Sequence, residues 1–339
     1  MPFTFSHPLF AIPLKKLVPR LSVTGLALGS MSPDMEYFIA MEPYRSIGHY
    51  WQGFLLLGVP VSIAAAAAFY RILLPLLPRL LPAAGSLDRY AADRAESAIN
   101  RSPSGVSGWL WFFMSLYIGY LTHLFMDGMT HTYGWLVLRY PELLYQQTAG
   151  IKLYSWLQYL FSLLGMLAFA LWLMFDYGKW LRARRSQSSQ PAMPLEFRRQ
   201  RPLSKLLAWM VSAAAGFLLF APKILFAERP DDIGLWLVSA CSAVLFGLFA
   251  AGLLTGGRGG LLAGRLAGLM LVFLLAAAFK TFSILSETMP DVYSANPLFI
   301  WIAYIWVLSL LVWLLSSSTP RYTASAAVIP RTADARSKL

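Results

Sequence analysis

One cysteine and four histidines are all the thiol and imidazole ligands that 339 residues carry. Cys241 alone cannot close an intramolecular disulfide, so no disulfide framework supports this fold. Charge is scarce as well. Only 13% of residues are charged and 58% are hydrophobic, which excludes an ordinary soluble domain. Acidic residues are the scarcest, 16 against 28 lysines and arginines, and no histidine follows position 131.

What is present in quantity is long apolar sequence. A helix needs about 20 apolar residues to cross the hydrocarbon core. Residues 51–70, 102–122, 153–175, 233–257 and 292–320 each supply such a run; 206–221 is shorter, and 259–286 is interrupted by Arg265 and Lys280. The expected fold is therefore an all-α polytopic membrane bundle of about seven transmembrane helices.

The excess of positive charge is not spread evenly. It concentrates in 176–203 (Lys179, Arg182, Arg184, Arg185, Arg198, Arg199, Arg201), in 75–108 and in the tail (Arg321, Arg331, Arg336, Lys338). Basic residues in alternate loops are the positive-inside pattern, which places these loops and the C-terminus in the cytoplasm. The lipid bilayer, not nucleic acid, is the expected partner of this charge. Four units follow along the chain: a His/Asp-bearing membrane domain (1–175), a basic cytoplasmic linker (176–203), a four-helix membrane domain (204–316) and a disordered tail (317–339).

Residues 1–50 break the pattern, because Lys15, Lys16 and Arg20 would fall outside. They follow the apolar stretch LFAIPL rather than precede it, so the N-terminus does not read as a signal peptide. Residues 21–31, LSVTGLALGSM, read as a short eighth span or as part of an interfacial or re-entrant element over 8–31, and the re-entrant form is the expectation. Gly25 and Gly29 permit close helix packing there, and Ser32-Pro33 ends the helix just before Asp34.

The chemistry concentrates in HLFMDGMTH, 123–131, at the end of an apolar span. His123, Asp127 and His131 advance in steps of four and share one helix face. His123 and Asp127 are close enough to bind one ion. His131 lies about 12 Å beyond His123 if the helix continues, within reach only of a second ion bridged by Asp127. Asp34, His49 and, given re-entry, His7 fall at the same outer membrane face. Neutral imidazole with carboxylate is the ligand set of zinc and similar metals. The plainer alternative is a structural His–Asp hydrogen bond between packed helices. Glu36 is a candidate general base, and Arg45 a candidate phosphate contact. The aromatic stripe Trp109, Trp111, Phe112, Phe113, Tyr117 and Tyr120 reads as helix or lipid packing.

The stretches MPFTFSHPLFAIPL, GSMSPDMEYF, HYWQG and HLFMDGMTHTYGW resemble the bacterial membrane-protein family known as domain of unknown function 4184, over roughly the first 175 residues. That family is in turn similar to membrane-bound metal-dependent hydrolases, and more distantly to zinc-dependent phospholipase C. The resemblance implies metal binding by His7, Asp34, His49, His123, Asp127 and His131. It also implies hydrolysis of a phosphodiester or lipid headgroup at the outer face of the bacterial cytoplasmic membrane. The further His-x-x-x-Glu pair of the secreted enzymes is missing here, which limits the expected cofactor to one or two divalent ions, zinc by ligand type. The alternative function is a non-enzymatic membrane protein whose cluster is structural or binds metal without catalysis.

Overall fold

The computed structural model describes residues 4–186, 202–227, 231–256, 262–288 and 296–319. Most of the expected linker, residues 257–260 of the GGRGG turn and the tail from 320 lie outside the described residues. Elements in chain order are α1 (Val23–Met31), α2 (Met35–Ala40), α3 (Trp51–Leu80), α4 (Leu87–Asn100), α5 (Gly105–Thr130), α6 (Leu153–Ser186), α7 (Pro202–Leu225), α8 (Ile233–Thr255), α9 (Leu262–Thr288) and α10 (Pro297–Ser317). Seven segments are long and apolar enough to span a membrane, in α3 and α5 to α10. The chain is a multi-pass membrane bundle.

Boundaries differ from those expected where polar residues have partners. α3 runs on past residue 70 because Arg71 and Arg79 donate to the carbonyls of Ser317 and Thr255, at 3.2 and 2.8 Å. α6 continues to Ser186 because Arg94 of α4 pairs with Asp176 at 2.7 Å, and Trp180 donates to Asp93. A two-residue hairpin, Gln147–Thr148 against Ile151–Lys152, joins the end of α5 to α6.

The N-terminal segment folds as a hairpin that runs along α5 and back. α1 has nine residues, about 14 Å, too short to cross a hydrocarbon core of about 30 Å. It runs parallel to α5. At its start Ser22 N–H donates to Ser115 Oγ, and at its end the Ser30 carbonyl accepts from His123 Nδ1, both at 2.7 Å. Before α1 the chain descends from His7, level with Asp127, to Arg20, whose guanidinium lies 5.9 Å from the Trp111 ring. Sixteen residues of α5 separate those levels, about 24 Å of depth.

This hairpin lies flat on α5 because both faces are small. Gly25 meets the Phe112 carbonyl and Ser115, and Gly29 the Leu116 carbonyl. Gly119 in turn meets the Leu26 carbonyl. Lys15, Lys16 and Arg20 thereby reach the end of the bundle where α5 begins, which removes their conflict with the charge pattern.

The two expected membrane domains share their cores. Ala68 and Ile72 of α3 pack with Phe249, Ala250 and Leu253 of α8. Leu57 of α3 packs with Trp301, Tyr304 and Ile305 of α10.

Candidate metal centre

Four chain segments converge at the end of the bundle where α5 stops. α5 delivers His123 and Asp127. The turn after α1 delivers Asp34, and the turn before α3 delivers His49. His7 arrives from the head of the hairpin. His7, Asp34, His123 and Asp127 are 1%, 1%, 0% and 7% exposed.

The ligand atoms face one another. His49 Nε2 lies 3.3 Å from Asp34 Oδ1 and 3.2 Å from Asp127 Oδ2. His123 Nε2 lies 3.7 Å from Asp34 Oδ1, 3.4 Å from Asp127 Oδ2 and 3.3 Å from His49 Nε2. Ligands about 2.0–2.1 Å from a tetrahedral ion sit about 3.3 Å from each other. Five edges of such a tetrahedron are therefore in place.

Neighbouring groups orient each ligand. The Ser30 carbonyl can only accept, so His123 Nδ1 carries the proton and Nε2 is left bare. Thr4 Oγ1 donates to Asp34 Oδ2 at 2.8 Å, leaving Oδ1 for the cluster. Burial works against the charged form of His49, yet the Asp127 and Asp34 carboxylates outweigh it and hold its pKa up at about 9.

Two observations bear on whether a cation fits. Asp34 Oδ1, Asp127 Oδ1, both His7 nitrogens and His49 Nδ1 have no hydrogen-bond partner among the described residues. The described ion pairs of both carboxylates are to histidines alone, with no lysine or arginine. Two carboxylates removed from water without a full counter-charge cost several kcal/mol each. A divalent cation would offset both.

The remaining sequence-predicted residues fall into place as follows. α5 ends at Thr130, and His131 adopts extended backbone (φ −114°, ψ 151°). Its ring folds back, so Nδ1 is 3.7 Å from Asp127 Oδ1 rather than a further turn away. His131 is also the ligand candidate nearest to solvent, its side chain 24% exposed. His7 Nε2 is 3.7 Å from Asp127 Oδ1. Glu36 is occupied elsewhere: its carboxylate accepts from the Ser46 N–H at 3.0 Å and from the Ser46 hydroxyl. It braces the turn carrying His49. Arg45 is exposed and acts electrostatically on His131.

Tyr120 was not legible as a site residue. Its hydroxyl lies within hydrogen-bond distance of the carbonyls of Gly48 and Tyr50, at 2.8 and 2.5 Å, and holds the residues either side of His49 against α5. Its position three residues before His123, on the same face, was the available signal. Gly128 admits the Trp135 ring, which a Cβ there would strike.

The family described as Domain of unknown function (DUF4184) matches residues 1–255, well over half of the chain and further than the resemblance in 1–175. The chain belongs to this family. The match takes in every ligand candidate and continues through α7 and α8. No curated protein and no solved structure matches the chain.

Proposed function

We propose that this protein binds a zinc-type divalent ion between Asp34, His49, His123 and Asp127. We further propose that it is a hydrolase acting on a phosphodiester or lipid headgroup at the outer face of the bacterial cytoplasmic membrane, with its C-terminus inside. The carrying observation is the set of five ligand separations between 3.2 and 3.7 Å. A bound ion of this type supplies Lewis acidity at neutral pH.

The chain's own contribution is orientation and exclusion. Ser30 and Thr4 hold His123 and Asp34 in their binding attitudes, and the bundle keeps bulk water from four of the ligands. His131 marks the edge from which a substrate would approach, and Arg45 is the cation available there for a phosphate.

One observation favours a second reading. Four buried protein atoms occupy five edges of the tetrahedral set, which approaches the form of a structural site, whereas catalytic sites keep one position open. In that reading the cluster clamps the re-entrant hairpin to α5 and α3 without catalysis.

Elemental analysis of detergent-purified wild type, His123→Ala and Asp127→Ala tests the metal. Near-stoichiometric zinc in wild type, lost in both folded variants, is expected. Metal-free wild type, unchanged after supplementation, would overturn both readings. Bis(p-nitrophenyl) phosphate then separates them. Release of nitrophenolate that needs Asp127 supports the hydrolase, and none from metal-replete protein assigns the cluster to the structural role.

A further inference from the structure

At the end of the bundle away from the metal centre, α9 and α10 part around a cavity of about 280 Å³. Gly264 and Arg265 line it from α9, Leu311, Leu314 and Leu315 from α10, and Ser318 from the α10 C-terminus. A Cβ at Gly268 would strike the Leu315 side chain, so the two helices touch there. One turn back, nothing lies within 4 Å of a Cβ at Gly264, and the cavity opens. Its volume is just under the ~300–1,000 Å³ of pockets that enclose drug-sized ligands. With Leu314 exposed on its rim, it suits one end of a longer molecule.

Arg265 is the feature that packing alone does not explain. It is 6% exposed, yet its one hydrogen bond among the described residues is to the Leu253 carbonyl at 3.2 Å. That carbonyl lies in the last turn of α8, whose dipole supplies only about half a negative charge. No described ion pair includes Arg265; Asp88 and Asp176, at the same end, pair with Lys205 and Arg94 instead. α3, α8 and α10 carry no acidic residue, and the one in α9, Glu287, is at its far end. Arg71 adds a second cation, donating to the Ser317 carbonyl at 3.2 Å. A buried charge without a full counter-charge is costly.

Arg265 lies in the first turn of α9 and Ser318 just past the end of α10, the depth at which a span meets lipid headgroups. A guanidinium matches a phosphate through two parallel hydrogen bonds. Basic pockets between membrane helices are a recurrent form of headgroup site. We propose that this cavity seats one anionic phospholipid, its phosphodiester on Arg265 and the start of an acyl chain along Leu311, Leu314 and Leu315. The headgroup supplies the counter-charge that Arg265 lacks, and the leucine wall favours a lipid over free phosphate. Bound there, the lipid bridges α9 and α10. On the orientation proposed above it belongs to the cytoplasmic leaflet, where basic loops meet anionic lipid. The site does not depend on the metal centre.

Native mass spectrometry of the full-length protein, delipidated in detergent, tests the proposal. The probes are dioleoyl phosphatidylglycerol, dioleoyl phosphatidylcholine with the same chains but no net charge, and inorganic phosphate. Wild type is expected to retain one phosphatidylglycerol per chain at concentrations where the other two leave no adduct. Loss of a charge-assisted contact in Arg265→Gln is expected to weaken that retention by about tenfold. Gly264→Leu keeps Arg265 but puts a side chain into the open part of the cavity, and is expected to abolish retention. Size-exclusion and thermal melting check that each variant is folded.

Equal retention of the two lipids would overturn the charge-selective seat. Unchanged retention of phosphatidylglycerol in folded Arg265→Gln or in Gly264→Leu would overturn its location. A phosphate adduct that needs Arg265 would replace the lipid with a free anion. If Arg265→Gln does not fold, Gly264→Leu and the comparison of the two lipids decide the matter.

Discussion

Tyr120 and Glu36 carry no ligand atom, yet each holds the turn that presents His49. Glu36 receives two hydrogen bonds from Ser46, and the Tyr120 hydroxyl lies against the Gly48 and Tyr50 carbonyls. Partners that orient a metal ligand are commonly worth 10–100-fold in metal affinity. Tyr120→Phe removes the hydroxyl with little change in volume. It is expected to weaken zinc binding by about tenfold with only a small fall in melting temperature; isothermal titration giving unchanged affinity would reduce Tyr120 to packing. His123 and Asp127 were legible because ionisable groups inside a span stand out against apolar neighbours. Tyr120 was not, because a tyrosine in an aromatic run has the same pattern whether its hydroxyl meets a carbonyl or a lipid headgroup.

At the scale of elements, small residues set how closely α1 lies on α5. A Cβ at Gly29 would overlap the Leu116 carbonyl, and one at Gly119 the Leu26 carbonyl, so neither backbone can stay where it is. Overpacking of this kind costs about 1–3 kcal/mol. Gly29→Ala should therefore lower the melting temperature and, by shifting the Ser30 carbonyl from His123, reduce metal content in the same sample. Metal content that holds while stability falls would separate packing from the site. The Gly25-x-x-x-Gly29 spacing announced this contact. The end of α5 was not announced: Thr130 and His131 continue the periodicity, and only the chain's turn toward Gly134 and Trp135 takes His131 out of the helix and its ring back to Asp127.

Over the whole molecule, basic side chains at the end of the bundle away from the cluster meet the last carbonyls of the helices there. Arg71, Arg79 and Arg265 donate to Ser317, Thr255 and Leu253, and Lys205 donates to Leu81. Cations at helix C-termini satisfy the last carbonyls and suit the helix dipole. Lys16, near the tip of the hairpin, belongs to that end, while Tyr133, 86% exposed beside His131, belongs to the other. In a Cys241→Ser background, Lys16→Cys and Tyr133→Cys should react with a membrane-impermeant maleimide from opposite sides. Reaction of both from one side would overturn the depth assigned to the hairpin.

By itself the sequence determined the membrane class, the seven spans, the close packing of α1 and the polar cluster at 123–131. Each of these depends on hydropathy or on spacing along one helix, and both are local properties. Only the tertiary structure decided that Asp34, His49 and His7 meet His123 and Asp127, that Glu36 braces a turn, and that Lys15, Lys16 and Arg20 lie at the end of the bundle where α5 begins. Those outcomes depend on how segments far apart in the chain stack in depth, which is set by contacts between them and not by spacing within any one helix.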